Sequence, residues 1–249
     1  IFGSGIWWFG FSLFSLARLP DDPTTGSKLG FSGYARIGFE RTLATTKRLG
    51  QFPQLLIFVI AFIIYNCGTG TVSAVSGPYA EDTLGLGLTT IGLAFLLVQF
   101  IAYFGAMGFA RLSKRIGPKE SVMVSLVIWT IIAIGAYFIP EGSDVGFLAL
   151  AAFVGFVLGG VQALSRSLYA SMIPEEASAE FFGFYSVFSK LSGIGPLVFG
   201  AVSAATGSGR TAIISVGLFF VVGLALLWRV DVDAARRSRD DWDFDVAAS

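Results

Sequence analysis

The sequence predicts an all-α membrane protein whose bundle of six full helices crosses the bilayer. Of the 249 residues, 54% are hydrophobic and only 14% are charged, whereas soluble domains average about 25% charged residues. Six apolar stretches each reach the length of ~20 residues that a spanning helix needs. Basic residues gather in alternate connections between these stretches. Together, composition, segment length and charge distribution favour lipid as the solvent of this chain.

The elements follow one another in a simple order. The apolar stretch 1–17 is short, and we expect it to be the end of a membrane helix whose beginning lies outside this chain. A polar connection occupies 18–52, and its part 34–49 mixes basic and apolar residues, which predicts an amphipathic surface helix. The tail 229–249 is polar, and we expect it to be disordered. The predicted full spans are 53–77, 88–110, 121–139, 146–170, 181–205 and 211–228.

The distribution of basic residues tests this span count. All of the 17 Lys and Arg residues except Arg210 lie in or beside the long connection, every second turn and the tail. Loops rich in Lys and Arg face the cytoplasm. The connection 18–52 and the tail are therefore both predicted to be cytoplasmic, which agrees with an even number of spans between them.

Composition also argues against several functions. The 17 basic residues are balanced by 17 acidic residues, so no basic excess indicates a nucleic-acid partner. Cys67 is the single cysteine and the chain has no His, so we expect no metal site and no cofactor. Acidic residues are absent from the centres of the spans. With neither His nor a central acid to act as a base, we expect no enzyme.

Lys190 is the most informative polar residue, because a charge in hydrocarbon requires a cavity or a partner. It lies within about 5 Å of the centre of the fifth span. We expect it to meet the anionic group of a solute, with Tyr185 supplying a hydrogen bond. Two alternatives stay open: the span begins only at Leu191, or Lys190 pairs with an acid elsewhere in a longer protein.

Two other spans carry polar groups at their centres. In the first, Asn66 and Thr69 share a helix face within the polar and glycine-containing run 65–71. We expect both to line a solute site, although small and polar residues also serve ordinary helix packing. In the second span, Gln99 is a further candidate for solute binding, and an interhelical hydrogen bond is its alternative role.

A polar stripe on the fourth span predicts a gate. Gln162 and Arg166 are one helical turn apart, with Arg166 toward the cytoplasmic end. Arg166 would close the gate by pairing with an acid of the following connection, and snorkelling to the interface is its alternative role. The candidate partners are Glu175, Glu176 and Glu180.

The segment 110–119 resembles the Gly-x-Leu-Ala-Asp-Arg-x-Gly-Arg-Lys loop of major facilitator superfamily transporters. Arg115, Gly117 and Lys119 match that pattern. The family Asp is replaced by Lys114, which removes a carboxylate expected to brace a neighbouring helix. The resemblance makes Arg115 a third gating candidate.

A more specific resemblance covers nearly the whole chain. The segments 159–167 and 179–185, with Pro174 between them and Lys190 and the pair 195–196 beyond, are similar to the autophagy-related vacuolar amino-acid effluxer family and its bacterial relatives. This resemblance implies the C-terminal half of a major facilitator fold in a bacterial inner membrane. Its partner would be the N-terminal six-helix half, and its substrate a small solute bound between the halves.

Two other functions stay open at this point. The same fold could belong to an exporter of drugs, sugars or lipids. Alternatively, a carrier-like scaffold could serve as a non-transporting receptor or assembly subunit, with its partner bound at the long connection or the tail. Both keep the lipid bilayer as the environment of the chain.

Overall fold

The computed structural model describes residues 2–18, 52–175 and 177–240, which are helical apart from short turns. The chain divides into two compact units, Ile1–Glu40 and Arg41–Ser249. Helix α1, Phe2–Arg18, is the described part of the first unit and exposes its apolar side chains along its whole length. The amphipathic helix predicted at 34–49 lies outside the described residues.

In the described part of the second unit, six helical segments are long and apolar enough to cross a membrane. This confirms the all-α membrane bundle and its six spans. The fifth span consists of two helices in line, α6 and α7. The helices are α2 Pro53–Pro78, α3 Leu88–Ile116, α4 Pro118–Phe138, α5 Asp144–Ala170, α6 Ser178–Lys190, α7 Ile194–Thr206 and α8 Gly209–Trp228, followed by the short helix α9 Val232–Asp240.

The connection predicted at 110–119 is shorter than expected. Helix α3 continues to Ile116, and Gly117 alone separates it from α4. Gly117 has a φ of 98°, a conformation that glycine adopts without a steric penalty. Pro118 then occupies the first turn of α4, where its missing N–H costs no hydrogen bond. The chain therefore passes from α3 into α4 through a single residue.

The fifth span is interrupted near its middle. A 3₁₀ turn over Leu191–Gly193 separates α6 from α7. Pro196 follows three residues later, and a proline in this position has no N–H for the carbonyl of Ser192 and also crowds it. The proline therefore explains why regular α-helix stops immediately after Lys190.

Close helix contacts hold the bundle together. A Cβ atom on Gly155 or Gly159 would overlap the backbone of Val98 or Ala102, so α5 approaches α3 backbone to backbone. A Gly-x-x-x-Gly spacing of this kind is typical of closely packed membrane helices. On the other side of the bundle, the ring of Trp129 stacks on Phe220 at 5.2 Å and joins α4 to α8.

The tail is ordered over 232–240, which corrects the prediction of a wholly disordered tail. The Lys119 ammonium donates to the carbonyls of Trp228 (3.1 Å) and Val230 (2.7 Å) and so caps the end of α8. The side chain of Gln54 accepts from the backbone N–H of Asp231 at 2.8 Å. These contacts from α2 and α4 fix the start of α9, and we call this side of the bundle the α9 end. Residues 241–249 lie outside the described residues.

Candidate functional site

Helices α2 and α5 contact each other on the side of the bundle toward the α9 end. The Tyr65 hydroxyl lies 2.7 Å from Ser165 Oγ. Since Ser165 gives its own proton to the carbonyl of Val161, Tyr65 is the donor to Ser165. The ring of Phe58 also stacks on Tyr169 with 6.2 Å between centroids. These contacts join the two helices on which half of the predicted site residues lie.

Beside this contact lies a recess of about 250 Å³ between α2, α5 and the fifth span. Its lining consists of polar side chains and one glycine, and we call it the polar recess. The lining residues are Asn66, Thr69, Gly70, Ser73, Gln162, Arg166, Tyr185, Ser189 and Ser192. Five of the predicted site residues are therefore brought together in one place: Asn66, Thr69, Gln162, Arg166 and Tyr185.

Asn66 organises the hydrogen bonds of the recess. Its amide donates to the carbonyl of Ser189 on α6 at 3.2 Å. Its carbonyl oxygen accepts from Thr69 at 3.2 Å and, at a longer 3.5 Å, from the amide of Gln162 on α5. One side chain thus connects three helices and holds the amide groups in fixed orientations.

Helix α2 remains unbroken through the run 65–71. Its two glycines serve close packing, since Gly68 faces the ring of Phe220 and Gly70 faces Ser192 in the 3₁₀ turn. The run therefore combines the two roles that the sequence left open. The glycines pack against neighbouring segments, while Asn66 and Thr69 line the recess.

Tyr185 has an unusual environment. Its ring stacks on Phe62 at 4.4 Å and lies 5.0 Å from Tyr169, and only 4% of the residue is exposed. Its buried hydroxyl oxygen has no partner of ordinary hydrogen-bond geometry among the described residues, and the side chain of Arg166 is the polar group near enough to act on it. The two groups together form one polar part of the recess wall.

The recess carries a positive charge. Arg166 is the one ionisable lining residue with a charge at neutral pH, and its guanidinium is close enough to the Tyr185 hydroxyl to act on it electrostatically. In the described part of the chain Arg166 forms no ion pair. The predicted pairs with Glu175 and Glu180 are therefore absent from this structure, and the side chain of Glu176 lies outside the described residues.

Lys190 does not line the recess. It is two residues from the midpoint of the span Ser178–Thr206, or about 3 Å along the axis. Five residues separate it from Tyr185, which amounts to roughly 140° around a helix, so the two side chains lie on different faces. Ser189 and Ser192 lie on the Tyr185 side and line the recess, while Lys190 is exposed.

Two further predicted residues also lie elsewhere. Gln99 is an exposed residue of α3 and borders a separate, apolar cavity. Arg115 is exposed on the last turn of α3 and is not among the recess-lining residues. Conversely, the prediction omitted Ser73, although its spacing of four residues from Thr69 places both on one face of α2.

The geometry defines a class of protein: a multi-span membrane bundle with a polar, cationic recess in one wall. Residues 1–240 match the family model described as vacuole effluxer Atg22 like. The chain belongs to this family, which confirms the resemblance found in the sequence.

Individual relatives support the same assignment. The MFS-type transporter YxiO of Bacillus subtilis is 35% identical over 76% of this chain and 44% of its own length. Autophagy-related protein 22-1 of Penicillium rubens is 27% identical over 95% of this chain and 43% of its own length. Autophagy-related protein 22 of Cryptococcus neoformans is 28% identical over 96% and 45% respectively. The chain thus spans less than half the length of the curated relatives it matches.

Proposed function

We propose that this chain forms the second six-helix half of a secondary carrier, in which the polar recess binds the anionic group of a small solute. The observation that carries the proposal is the position of Arg166, which forms no ion pair among the described residues, beside the buried hydroxyl of Tyr185 in the lining of one recess. A carboxylate or similar anion accepts hydrogen bonds from both groups, and charge-assisted hydrogen bonds are the strong ones.

The family supports the transport function. One relative is named as an MFS-type transporter, and the family model is described as a vacuole effluxer. In the proposed carrier, the partner of this bundle is the N-terminal half of the same protein, and the two halves rock around the bound solute. The substrates to test first are amino acids, since each is a small solute with an α-carboxylate.

The charge distribution supports a cytoplasmic position for the α9 end. Lys114, Arg115 and Lys119 lie at this end together with the basic residues of α9, whereas Arg210 is at the opposite end beside Glu141. Loops rich in Lys and Arg remain in the cytoplasm. The similarity to a Bacillus protein supports a bacterial plasma membrane as the location.

Counterflow of radiolabelled amino acids into proteoliposomes tests the proposal, using the full-length protein. We expect saturable exchange by the wild type and a KM at least ~10-fold higher in Arg166→Gln, because a hydrogen bond to a charged group contributes about 1.5–3 kcal/mol. Arg210→Gln is the matched control, since it removes the same charge outside the recess. The proposal fails if Arg166→Gln and the wild type exchange solute with equal KM.

The same experiment separates the alternatives. An exporter of drugs, sugars or lipids would exchange its own solute in a wider panel and ignore amino acids. A receptor or assembly subunit would exchange nothing from either panel and would retain a protein partner during purification.

A further inference from the structure

A further cavity lies at the α9 end of the bundle and shares no lining residue with the polar recess. It measures about 510 Å³ and is bounded by the turn from α3 to α4 on one side and by the junction of α8 with α9 on the other. Three cations line it: Lys119, Arg229 and Arg236. We call this space the interfacial groove.

The interfacial groove lies at the depth of the lipid headgroups. Trp228 is the last residue of the spanning helix α8 and is 72% exposed. Exposed tryptophans concentrate at the boundary between hydrocarbon and headgroups, because the ring suits the apolar layer and the indole N–H suits the polar one. Since Trp228 and the following Arg229 both line the groove, the groove is placed at this boundary.

The cations of the groove keep hydrogen-bonding capacity for a ligand. Arg229 is exposed, and its guanidinium forms no ion pair or hydrogen bond in the part of the chain that the structure describes. Lys119 donates to the carbonyls of Trp228 and Val230. An ammonium has three donors, so one N–H of Lys119 remains available.

The acids that line the groove neutralise these cations only in part. Asp231 accepts from the N–H of Ala234 at 2.9 Å and balances part of the charge of Lys119. Asp233 pairs with Arg236 at 3.4 Å. Glu120 is exposed on the first turn of α4 and forms no ion pair among the described residues. None of these three carboxylates forms an ion pair with Arg229.

Further positive charge borders the groove from α3. Lys114 and Arg115 are exposed in the last turn of this helix, which Gly117 of the groove lining follows directly. At the opposite end of the bundle, Arg210 is instead paired with Glu141 at 3.4 Å. Unpaired cations are therefore a feature of the α9 end, at the level where the phosphates of a bilayer lie.

We propose that the interfacial groove binds the phosphodiester group of an anionic phospholipid, with Arg229 as the principal contact and the free N–H of Lys119 as the second. A guanidinium holds two phosphate oxygens at once. Clusters of Lys and Arg at the end of a membrane helix bind anionic lipids, and the exposed ring of Trp228 offers an apolar surface to the acyl chains. This inference goes beyond the proposed function, because no step of it involves the transported solute.

The test follows hydrogen exchange of amides 229–240 in the full-length protein, in neutral detergent, across a lipid titration. Protection of these amides reports binding at the groove rather than elsewhere on the bundle. The two lipids are phosphatidylglycerol, which is anionic, and phosphatidylcholine, which has the same phosphodiester but no net charge. We expect the wild type to bind phosphatidylglycerol more tightly, and Arg229→Gln to bind it about 5-fold more weakly than the wild type, the effect of one cation beside an anionic headgroup.

Two variants separate charge at the groove from other effects. Arg229→Lys keeps the positive charge and should retain most of the affinity for phosphatidylglycerol. Arg210→Gln removes one cation at the opposite end and should leave this affinity unchanged. Arg229 also lies at the C-terminus of α8, where a cation stabilises the helix in any lipid. Thermal unfolding in phosphatidylcholine alone measures that effect separately.

Four results would overturn the inference. The wild type could bind both lipids with equal Kd, which decides the matter however the variants fold. Folded Arg229→Gln could keep the wild-type Kd for phosphatidylglycerol. It could also lose affinity equally for both lipids, which would leave Arg229 with its helix-capping role alone. Finally, inorganic phosphate without lipid could protect amides 229–240 as well as phosphatidylglycerol does, which would make the groove a site for soluble anions.

Discussion

The buried hydroxyl of Tyr185 leads to a prediction in which stability and affinity change in opposite directions. Tyr185→Phe keeps the ring contacts with Phe62 and Tyr169 and removes only a buried oxygen that has no partner of ordinary hydrogen-bond geometry among the described residues. An unsatisfied buried polar group costs about 1–3 kcal/mol. Without solute, Tyr185→Phe should therefore be more stable than the wild type by an amount of this order.

With solute, the same substitution should weaken binding. The lost hydrogen bond to a charged group is worth about 1.5–3 kcal/mol, which corresponds to a Kd about 10- to 150-fold higher. The assay is thermal unfolding of the purified full-length protein across a solute titration. The curves of mutant and wild type should cross, with the mutant more stable at zero solute and less stable at saturation.

Tyr169→Phe provides the matched control. The hydroxyl of Tyr169 donates to the carbonyl of Phe181 at 2.7 Å, so its removal deletes a buried hydrogen bond. This variant should be less stable than the wild type at every solute concentration. The reasoning is refuted if Tyr185→Phe behaves like Tyr169→Phe, because the Tyr185 hydroxyl would then be satisfied within the protein.

Two further predictions concern the scaffold. Gly159→Leu should lower the thermal stability of the full-length protein, since overpacking of a tight contact costs about 1–3 kcal/mol and a side chain here overlaps Ala102 of α3; unchanged unfolding would contradict the close packing. At the start of α9, the N–H of Ala234 donates to Asp231 and holds the pKa of this carboxyl below its ordinary value of 3.8. The cap is thus present above that value and lost as the pH falls through the lowered pKa. The protection of amides 232–240 against hydrogen exchange, relative to their intrinsic rates at each pH, should therefore fall in acid and, at neutral pH, in Asp231→Ala but not in Asp231→Asn.

Much of the fold could be predicted because membrane spans have a strong local signal. Apolar length locates each helix, and the alternation of basic residues orders them. The tail helix α9 has no such signal. Its order depends on distant partners, Gln54 and Lys119, and neither can be identified as a partner from the sequence of the tail alone.

The position of the polar recess along the helices could be predicted from the sequence, but its direction around them could not. Both faces of α6 are polar near the middle of the fifth span, one with Tyr185 and Ser189 and the other with Ser186 and Lys190. From the sequence alone, its charge made Lys190 the preferred candidate for binding the anionic group of the solute. The packing of Tyr185 against Phe62 decides the orientation of the helix, and this is a tertiary contact between segments far apart in the chain.

The apolar cavity that Gln99 borders could not be predicted from the sequence either. Residues of five helices, α2, α3, α4, α5 and α8, line it. Gln99 was predicted as a solute ligand because it lies at mid-depth, yet it borders this cavity. Position along a helix axis can be calculated from sequence, whereas the spacing between helices depends on contacts formed only in the folded bundle.

The most direct test of the central claim compares the two candidate cations in one binding assay. Isothermal titration of the full-length protein with its transported solute would be carried out on Arg166→Gln and Lys190→Gln, each of which removes one positive charge. If the solute binds in the polar recess, the Kd should be about 10-fold or more higher in Arg166→Gln than in the wild type. The Kd of Lys190→Gln should be unchanged. The opposite pattern would contradict the assignment and return the solute site to Lys190.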